Sequence, residues 1–337
     1  MKGKNKTSKK TDKEVFMNLK TDFGFKKIFG NKTLLIAFLK TILFEDITEI
    51  EYLPAEQLGY VKENRKAVYD VYCTTSSGKR FIVEMQASSQ PNFAERMLFY
   101  MSYPIISQAP KGKVKKTDSD GKEVKKVWDY SIEGVYMIGI LNFTLFPEKE
   151  AKNIVVEHIK LVRQKTNIVF TDKLEFVTIE LPKFRKRKKN LLSLQDKWLY
   201  SLKNMEKLPE CPKEFDDEIL RELYENAKIN NLTGEEMEAY SKSVMDYDDV
   251  ILAVDYAKEL GKKEGKKEGK REGKREGIEI GKKQGIEKGE KQGIEIGKIE
   301  ERINFVQRCH KNGIGIEQII NLTGLAEEQV FAILAML

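Results

Sequence analysis

The stretch VYDVYCTTSSGKRFIVEMQ, residues 68–86, constrains the fold more than any other part of the chain. Two runs rich in β-branched and aromatic residues flank the short turn SSG, which predicts a hairpin with strands over 68–74 and 80–87. Each strand carries one acid, Asp70 or Glu84. If the strands fold back at this turn, paired residue numbers sum to about 154 or 155, which sets Asp70 opposite or beside Glu84. Like charges in that position repel, so something must compensate them.

The residues alone leave two interpretations of this acid pair open. In the first, the pair lies on the solvated face of an amphipathic hairpin or is hydrogen-bonded there. The apolar neighbours of both acids argue against it, because they are typical of strands covered on both faces. In the second, a hard divalent cation such as Mg²⁺ is held by the carboxylates and removes the repulsion. Such an ion can polarise a phosphoryl oxygen and activate water for in-line attack.

The rest of the chain alternates helix and strand patterns, which predicts an α/β domain with a helical extension. The nearly unbroken apolar run GVYMIGILNF (134–143) is typical of a buried central strand. Apolar residues at helical spacings predict a short helical turn followed by a helix over about 31–43, and a further helix over 91–108. A strand interrupted by Pro54 is predicted at 47–60, since proline cannot donate to a central ladder. Additional strands are predicted at 153–163 and 174–181, and additional helices at about 192–206, 214–229 and 234–260.

Composition limits the classes of protein to consider. The chain has 337 residues, enough for about two domains. Its 60 Lys and Arg against 53 Asp and Glu give a net charge of +7, which favours a polyanionic partner without requiring one. Three scattered cysteines form no zinc-site spacing, and two distant histidines argue against a histidine-based nuclease. Basic runs, which are ordinarily solvated loops or tails, occur at 1–10, 111–116, 184–189 and 261–277.

The sequence contains no membrane or export signal that we recognise. No apolar run reaches the roughly 20 residues of a membrane span, and no apolar run of signal-peptide length follows the basic N-terminus. We therefore expect a cytoplasmic protein that does not associate with a membrane.

A low-complexity segment occupies residues 261–298, where glycine recurs at every fourth position from Gly261 to Gly297. In an α-helix each glycine costs about 1 kcal/mol relative to alanine, whereas Glu–Lys pairs contribute only about 0.2–0.5 kcal/mol each. We therefore expect a linker. The alternative is a long solvated helix that pairs with copies of itself, which makes the C-terminal tail a candidate for self-association.

The last residues, 299–337, predict a small helical module that is helix-turn-helix-like, with Gly324 at its turn. Glu327 and Glu328 follow the turn and would be repelled by phosphates. A module that contacts protein is therefore at least as well supported as one that reads DNA.

The order of these segments resembles a known nuclease family. A helix, a strand with VYDV, a turn, a strand with IVEMQ and a second helix are similar to the core of the PD-(D/E)xK nuclease superfamily. More narrowly, TDFGFKKIFG (21–30), the hairpin and FAERMLFYMSYPIISQ (93–108) resemble the Rpn-type recombination-promoting nuclease and transposase family. The likeness covers about residues 18–260 and implies a restriction-endonuclease-like core, a mixed central sheet flanked by helices.

The predicted organisation combines this resemblance with the composition of each segment. It comprises a basic flexible tail (1–17), a PD-(D/E)xK nuclease-like core (18–190), a C-terminal helical extension (191–260), the low-complexity segment (261–298) and the small helical module (299–337).

The resemblance also implies roles for particular residues. Asp70, Glu84 and the backbone carbonyl of Met85 would hold Mg²⁺. Gln86 takes the position of the superfamily lysine, where it can orient a water by hydrogen bonds but cannot supply positive charge. Asp22 would be an accessory acid, and a helix N-cap is an equally good interpretation of it.

If Gln86 supplies no charge, other side chains must provide it. Lys26, Lys27 and Arg96 are the candidates, and all three would also contact DNA. Arg96 and Tyr100 lie one helical turn apart and could face the DNA together, with simple packing as the alternative for Tyr100.

These expectations lead to a Mg²⁺-dependent DNA endonuclease that hydrolyses phosphodiester bonds and is linked to DNA recombination or mobile elements. The alternative is a catalytically weak or inactive DNA-binding or assembly protein that uses the nuclease fold.

Overall fold

The computed structural model describes residues 15–57, 67–109, 114–117, 123–126 and 128–336. The predicted basic tail lies outside the described residues up to residue 14, as do residues 111–113 of the second basic run. The chain divides into two compact units, Met1–Tyr256 and Ala257–Leu337.

Helices and strands alternate in the first half of the chain, and helices alone follow. The α-helices are α1 (Asp22–Phe29), α2 (Lys32–Leu43), α3 (Phe93–Ile106), α4 (Leu194–Asn204), α5 (Glu218–Asn226), α6 (Gly234–Lys311), α7 (Ile316–Thr323) and α8 (Glu327–Leu334). The strands are β1 (Glu51–Tyr52), β2 (Glu56–Gln57), β3 (Ala67–Val68), β4 (Val71–Thr74), β5 (Arg80–Gln86), β6 (Val114–Thr117), β7 (Glu123–Lys126), β8 (Val135–Leu141), β9 (Val156–Lys160), β10 (Val162–Arg163), β11 (Ile168–Val169) and β12 (Leu174–Glu180).

Six strands form one mixed sheet in the order β1-β4-β5-β8-β12-β9. The central strands β5, β8 and β12 are parallel, whereas β4 is antiparallel to β5 and β9 is antiparallel to β12. All seven residues of β8 are buried, which explains its unbroken apolar run, since both faces of the sheet are covered. The predicted α/β class with a mixed central sheet is therefore confirmed.

Two hydrophobic cores cover the two faces of the sheet. Val83 belongs to one core and its neighbour Ile82 to the other, because alternate residues of a strand point to opposite faces. The core of Val83 is closed by α1, α2, α4 and α5, and the core of Ile82 is closed by α3. Trp198 of α4 and Leu220 of α5 lie in the first core. The helices of the predicted extension therefore share a core with the sheet.

The hairpin of β4 and β5 has the predicted register. Val71 faces Val83 and Tyr72 faces Ile82, so paired residue numbers sum to 154. The turn closes at Gly78, whose φ of 86° lies in the region that only glycine adopts without strain.

The strand predicted at 47–60 is interrupted at Pro54, as expected, because proline cannot donate to a ladder: β1 lies before Pro54 and β2 after it. A second predicted strand is broken where the sequence predicted no break. Residues 153–163 contribute β9, which ends at Lys160, and β10, which pairs with β11 in a separate hairpin. The helix predicted over 91–108 is α3, and Pro104 lies inside its last turn.

The low-complexity segment is helical in the structure, where it forms part of α6. Its glycine content predicts a linker instead, and the helical alternative agrees with the structure. No proline interrupts it, and Lys291 Nζ lies 2.8 Å from Glu287 Oε1 in an i,i+4 pair that supports a solvated helix. A Cβ added at any of its glycines, from Gly261 to Gly297, would meet no atom within 4 Å. Within the described chain, no close packing at these positions requires glycine.

Short helices follow, with Gly324 between α7 and α8 at a φ of 65°. Val306, Cys309, Ile319 and Val330 form the small core of this module. Of the helices in the described part of the chain, none is long and apolar enough to cross a membrane.

Replacing Gly269, Gly273 and Gly277 together by alanine should stabilise this part of α6 by about 1 kcal/mol per site, because alanine loses less backbone entropy in a helix. Slower amide hydrogen exchange across residues 261–298 is the expected result. Unchanged hydrogen exchange in the triple variant would contradict the helix.

Gly78→Ala should lower the melting temperature, since alanine is strained at positive φ.

Candidate active site

Asp70 and Glu84 exchange hydrogen bonds with each other's strand. The Asp70 backbone N–H donates to Glu84 Oε1 at 3.1 Å, and the Met85 N–H donates to Asp70 Oδ2 at 2.8 Å. Continued past β4, the hairpin register would set Tyr69 opposite Met85. Instead, the Tyr69 N–H donates to the Ala55 carbonyl at 3.0 Å. The Asp70 carboxylate therefore takes the place of a backbone acceptor where the ladder ends.

This arrangement also orients the Met85 carbonyl. In an antiparallel pair, the N–H and C=O of one residue point to the same side of the strand, since facing residues exchange both bonds. The Met85 carbonyl therefore points to the side on which its N–H meets Asp70. Two carboxylates and one carbonyl thus lie near the carboxyl end of β5, and these are the three groups that the family resemblance implies as Mg²⁺ ligands.

Burial makes this acid pair costly to ionise. Glu84 is only 2% exposed, and burial together with the Asp70 charge raises the pKa of Glu84. Burial also raises the pKa of Asp70, against the opposing effects of the Met85 amide and the Lys26 charge. Buried acids with raised pKa values beside a cleft are typical of functional sites.

The donor set fits a hard divalent cation. Mg²⁺ is usually bound through one or two carboxylates and keeps several waters, so two carboxylates and a carbonyl are sufficient. The cation would also remove the repulsion that burial intensifies. Within the described residues, no cluster of three or more His, Cys, Asp or Glu side chains could hold a metal ion. A softer, fully protein-bound metal such as structural zinc does not fit this site.

Gln86 is tied to the pair by a direct contact. Its Nε2 donates to Glu84 Oε2 at 3.1 Å, and the side chain is buried. The two residues lie on the same face of β5, two positions apart. Gln86 therefore provides a hydrogen-bond donor for the second oxygen of Glu84, but it does not neutralise the charge of that carboxylate.

A cleft of about 570 Å³ opens beside Asp70 and Met85. One wall is α1, which contributes Asp22, Lys26 and Lys27, and another is the first part of α6. Lysines and aspartates both line it, so the cleft has a mixed rather than a uniformly negative surface.

Asp22 is the first residue of α1 and does not cap it. Thr21 is the N-cap, because its side chain accepts the Gly24 N–H at 3.1 Å. Asp22 Oδ1 instead lies 2.6 Å from Lys26 Nζ, in an exposed i,i+4 pair. The N-cap interpretation of Asp22 is therefore wrong, and its carboxylate lies on the cleft wall near enough to raise the pKa of Asp70.

Lys26 is the cation that responds most clearly to the acid pair. Partial burial lowers the pKa of Lys26, but the bond to Asp22 and the charges of Asp70 and Glu84 raise it overall. Lys27 also lines the cleft, yet it is already paired with Glu236 of α6.

Arg96 and Tyr100 lie on α3, outside the lining of the cleft. The Arg96 guanidinium stacks 4.8 Å from the Tyr100 ring centre, and its Nη2 donates to the Tyr100 hydroxyl at 3.0 Å. Both residues line a separate cavity of about 670 Å³. The Arg96 charge nevertheless lowers the pKa of Asp70 and of Glu84, although burial outweighs it. The four DNA-contact candidates therefore divide between two surfaces.

The contribution of α6 to the cleft was not predicted from the sequence. Five residues of one helical face line it: Ala239, Lys242, Ser243, Asp246 and Tyr247. Their spacing of three and four residues is a signal that could have been read as one face, but only long-range packing shows that this face meets α1. Ser243 Oγ accepts the Phe23 N–H at 3.0 Å and joins the two helices.

The raised pKa values have a consequence for stability without a divalent cation. Between the ordinary and the raised pKa of Glu84, the folded state binds more protons than the unfolded state, so stability falls as the pH rises. Glu84→Gln removes this loss. In EDTA, the free energy of unfolding of the variant relative to wild type should therefore increase from pH 5 to pH 8 by at least about 1 kcal/mol, the value of one pKa unit.

Denaturant unfolding at the two pH values provides the measurement. Asp46→Asn, at a residue whose side chain is 81% exposed, is the control and should show no comparable change. If the free energy of unfolding of Glu84→Gln relative to wild type were the same at pH 5 and pH 8, the raised pKa of Glu84 would be contradicted.

Comparison with known proteins agrees with this architecture. A family model described as "PD-(D/E)XK nuclease family transposase" matches residues 19–257, which include the whole sheet and all of the cleft. No curated protein matches the chain, and no solved structure does. Because the match covers most of the chain, the chain belongs to the family of PD-(D/E)XK nuclease family transposases.

Proposed function

We propose that this protein is a Mg²⁺-dependent DNA endonuclease that acts in DNA recombination or in the movement of mobile elements. Family membership supports a nuclease or transposase-related role. The observation that carries the proposal is the acid pair of half-buried Asp70 and buried Glu84, which the Asp70 and Met85 amides hold together at the edge of a cleft.

In this proposal Asp70, Glu84 and the Met85 carbonyl would hold the cation. The chemistry that a bound divalent cation would supply is polarisation of a phosphoryl oxygen and activation of a water for attack. The protein contributes the fixed position of the ligands. Because the Met85 amide holds Asp70 and Gln86 holds Glu84, little reorganisation is needed when the substrate arrives.

Gln86 has a limited role in this scheme. Its amide can accept or donate a hydrogen bond to water, and it holds one oxygen of Glu84. The positive charge that the superfamily lysine would supply has to come from elsewhere. Lys26 is the best candidate, because it lines the cleft with Asp70 and interacts electrostatically with both acids. Asp22 then acts as a positioning residue that holds Lys26 at 2.6 Å.

A second candidate function is a catalytically weak or inactive DNA-binding or assembly protein. Two observations favour it: Gln86 is uncharged, and Lys26 is already paired with Asp22. In that case the acid pair would bind a cation without cleaving DNA. Self-association through the C-terminal tail and a cytoplasmic location stay predictions for either function.

Asp70→Asn and Glu84→Gln should each reduce Mg²⁺-dependent nicking of a supercoiled plasmid by at least about 100-fold, because each removes a charged ligand of the cation. Binding of the same DNA, measured by gel shift, should be retained. Asp46→Asn provides a control at an exposed acid.

The outcomes separate the two functions. Unchanged nicking by both variants would overturn the assignment of the site. DNA binding by wild type without any Mg²⁺-dependent cleavage would support the second candidate function.

Lys26→Met should slow single-turnover cleavage by about 100-fold, because it removes a cation that lines the cleft with Asp70 and interacts with both acids. Mn²⁺ binding, measured by calorimetry, should persist. Lys40→Met is a matched control, since Lys40 is 44% exposed and pairs with Asp46 at 2.7 Å, while Lys26 is 45% exposed. Equal rates for Lys26→Met and Lys40→Met would show that Lys26 supplies no catalytic charge.

A further inference from the structure

The carboxyl ends of three parallel strands lie side by side at the edge of the sheet where Asp70 and Glu84 meet. Ligands of α/β folds bind in crevices outside such strand ends. Three cavities open here in a row. The cleft contains Ala87, just after β5; a second cavity, of about 450 Å³, contains Asn142, just after β8; a third, of about 620 Å³, contains Lys183, after β12.

Two lysines connect these cavities. Lys20 lines both the cleft and the second cavity, and its Nζ donates to the Lys203 carbonyl at 3.1 Å. Lys203 lines the second cavity, and its Nζ donates at 2.6 Å to the carbonyl of Phe184, which lines the third. We name these three neighbouring cavities the basic groove.

Positive charges crowd together in the middle of the basic groove. Burial lowers the pKa of Lys203, and the nearby charges of Lys207, Arg185 and Lys20 lower it further. A lysine surrounded by three cations is stabilised by an incoming anion. The crowding therefore indicates a surface that is incomplete without negative charge.

Nearby carboxylates compensate only part of this charge. Glu206 pairs with Lys20 at 2.6 Å and lies 3.8 Å from Lys207, so two lysines share one carboxylate. Asp248 also lines the second cavity.

The far end of the basic groove opens onto the densest basic run of the sequence, residues 184–189. Lys186 and Lys188 are held by carboxylates at 2.8 and 3.6 Å. Arg185, Arg187 and Lys189 are exposed, and no carboxylate of the described chain pairs with them. Three cations of this loop are therefore available to a ligand.

We propose that the basic groove binds the phosphodiester backbone of DNA on one side of the cleavage position. The proposal rests on the function proposed above, because that function sets the cleavage position at Asp70 and Glu84. Neighbouring strands lie about 4.8 Å apart, so the row from β5 to β12 spans roughly 10 Å. Each strand of a duplex has one phosphate per about 3.4 Å of helix axis, so a duplex whose axis follows this row would place about three phosphates of one strand beside it.

The length of the groove favours a polymer over a single phosphate. An isolated anion would occupy one of the three cavities, whereas a nucleic acid strand can follow all of them. Cleavage should therefore require about three nucleotides beyond the scissile bond on this side.

Removing two cations of the groove tests the proposal in the full chain. Arg185→Gln with Lys207→Gln is the test variant, and it leaves the lysines that bridge the cavities intact. Binding of a fluorescent 30-base-pair duplex is measured by anisotropy from 50 to 300 mM KCl, with Ca²⁺ in place of Mg²⁺. Because each phosphate contact contributes about 0.9 to the slope of log K against log salt, the slope should become shallower by about 1.8.

A charge-matched control lies at the opposite edge of the sheet. Lys160 ends β9 and Lys173 precedes β12, both at the amino end of β12. Lys160→Gln with Lys173→Gln also removes two positive charges, and it should change the slope by less than about 0.9, the value of one phosphate contact. Equal slopes for the test and control variants would overturn the basic groove, as would a wild-type protein that binds no duplex.

Failure of the groove and failure of the nuclease function are distinguishable. A smaller slope in the test variant, with no cleavage by wild type, would keep the groove and reject the nuclease. Cleavage that depends on Asp70 and Glu84, with an unchanged slope in the test variant, would keep the nuclease and reject the groove. Circular dichroism melting of both variants establishes that they are folded.

Discussion

The bond between the Asp70 carboxylate and the Met85 amide is the interaction on which the proposed site depends. It ends the ladder between β4 and β5 and replaces a backbone acceptor by a charged side chain. The reciprocal bond, from the Asp70 amide to Glu84, holds the second acid against the first. Because the two bonds use backbone amides, the separation of the acids is set by the pairing of the strands and not by flexible side chains.

In this geometry, ionising both acids is unfavourable, as their raised pKa values show. Glu84 is buried and Asp70 is half-buried, and the loss of hydration raises the pKa of both, while the Asp70 charge raises that of Glu84 further. The surrounding cations lie at a distance: Lys26 is on the cleft wall and Arg96 is on the other side, on α3. The most direct compensation is a cation between the acids, which connects the strand register to the proposed chemistry.

The hairpin and the central strand could be predicted from the sequence because their signals are local. Alternating side chains and a short turn determined the register of Val71 with Val83, and an unbroken apolar run identified β8. The break after Lys160 and the wall that Lys242 forms in the cleft depend on packing between distant segments, so no local pattern shows them. Residues 261–298 differ in another way: helix propensity argued for a linker, whereas the structure continues α6 through every glycine.

The candidate site itself was only partly accessible from the sequence. Asp70 and Glu84 could be paired from the hairpin register, whereas Met85 and Gln86 could be named only from the family resemblance; the structure brings the four residues into contact. Arg96 and Tyr100 were expected to face the DNA together with Lys26 because they lie one helical turn apart on a neighbouring helix. The structure separates them, because α3 packs on the opposite face of the sheet from α1.

The central claim is that the two acids and the Met85 carbonyl form one cation site. Anomalous diffraction from crystals grown with Mn²⁺ tests it most directly, since Mn²⁺ takes the same oxygen ligands as Mg²⁺. We predict one anomalous peak about 2.1–2.3 Å from a carboxylate oxygen of Asp70, one of Glu84 and the carbonyl oxygen of Met85. A peak bound elsewhere in the cleft, or none at this position at millimolar Mn²⁺, would contradict the account.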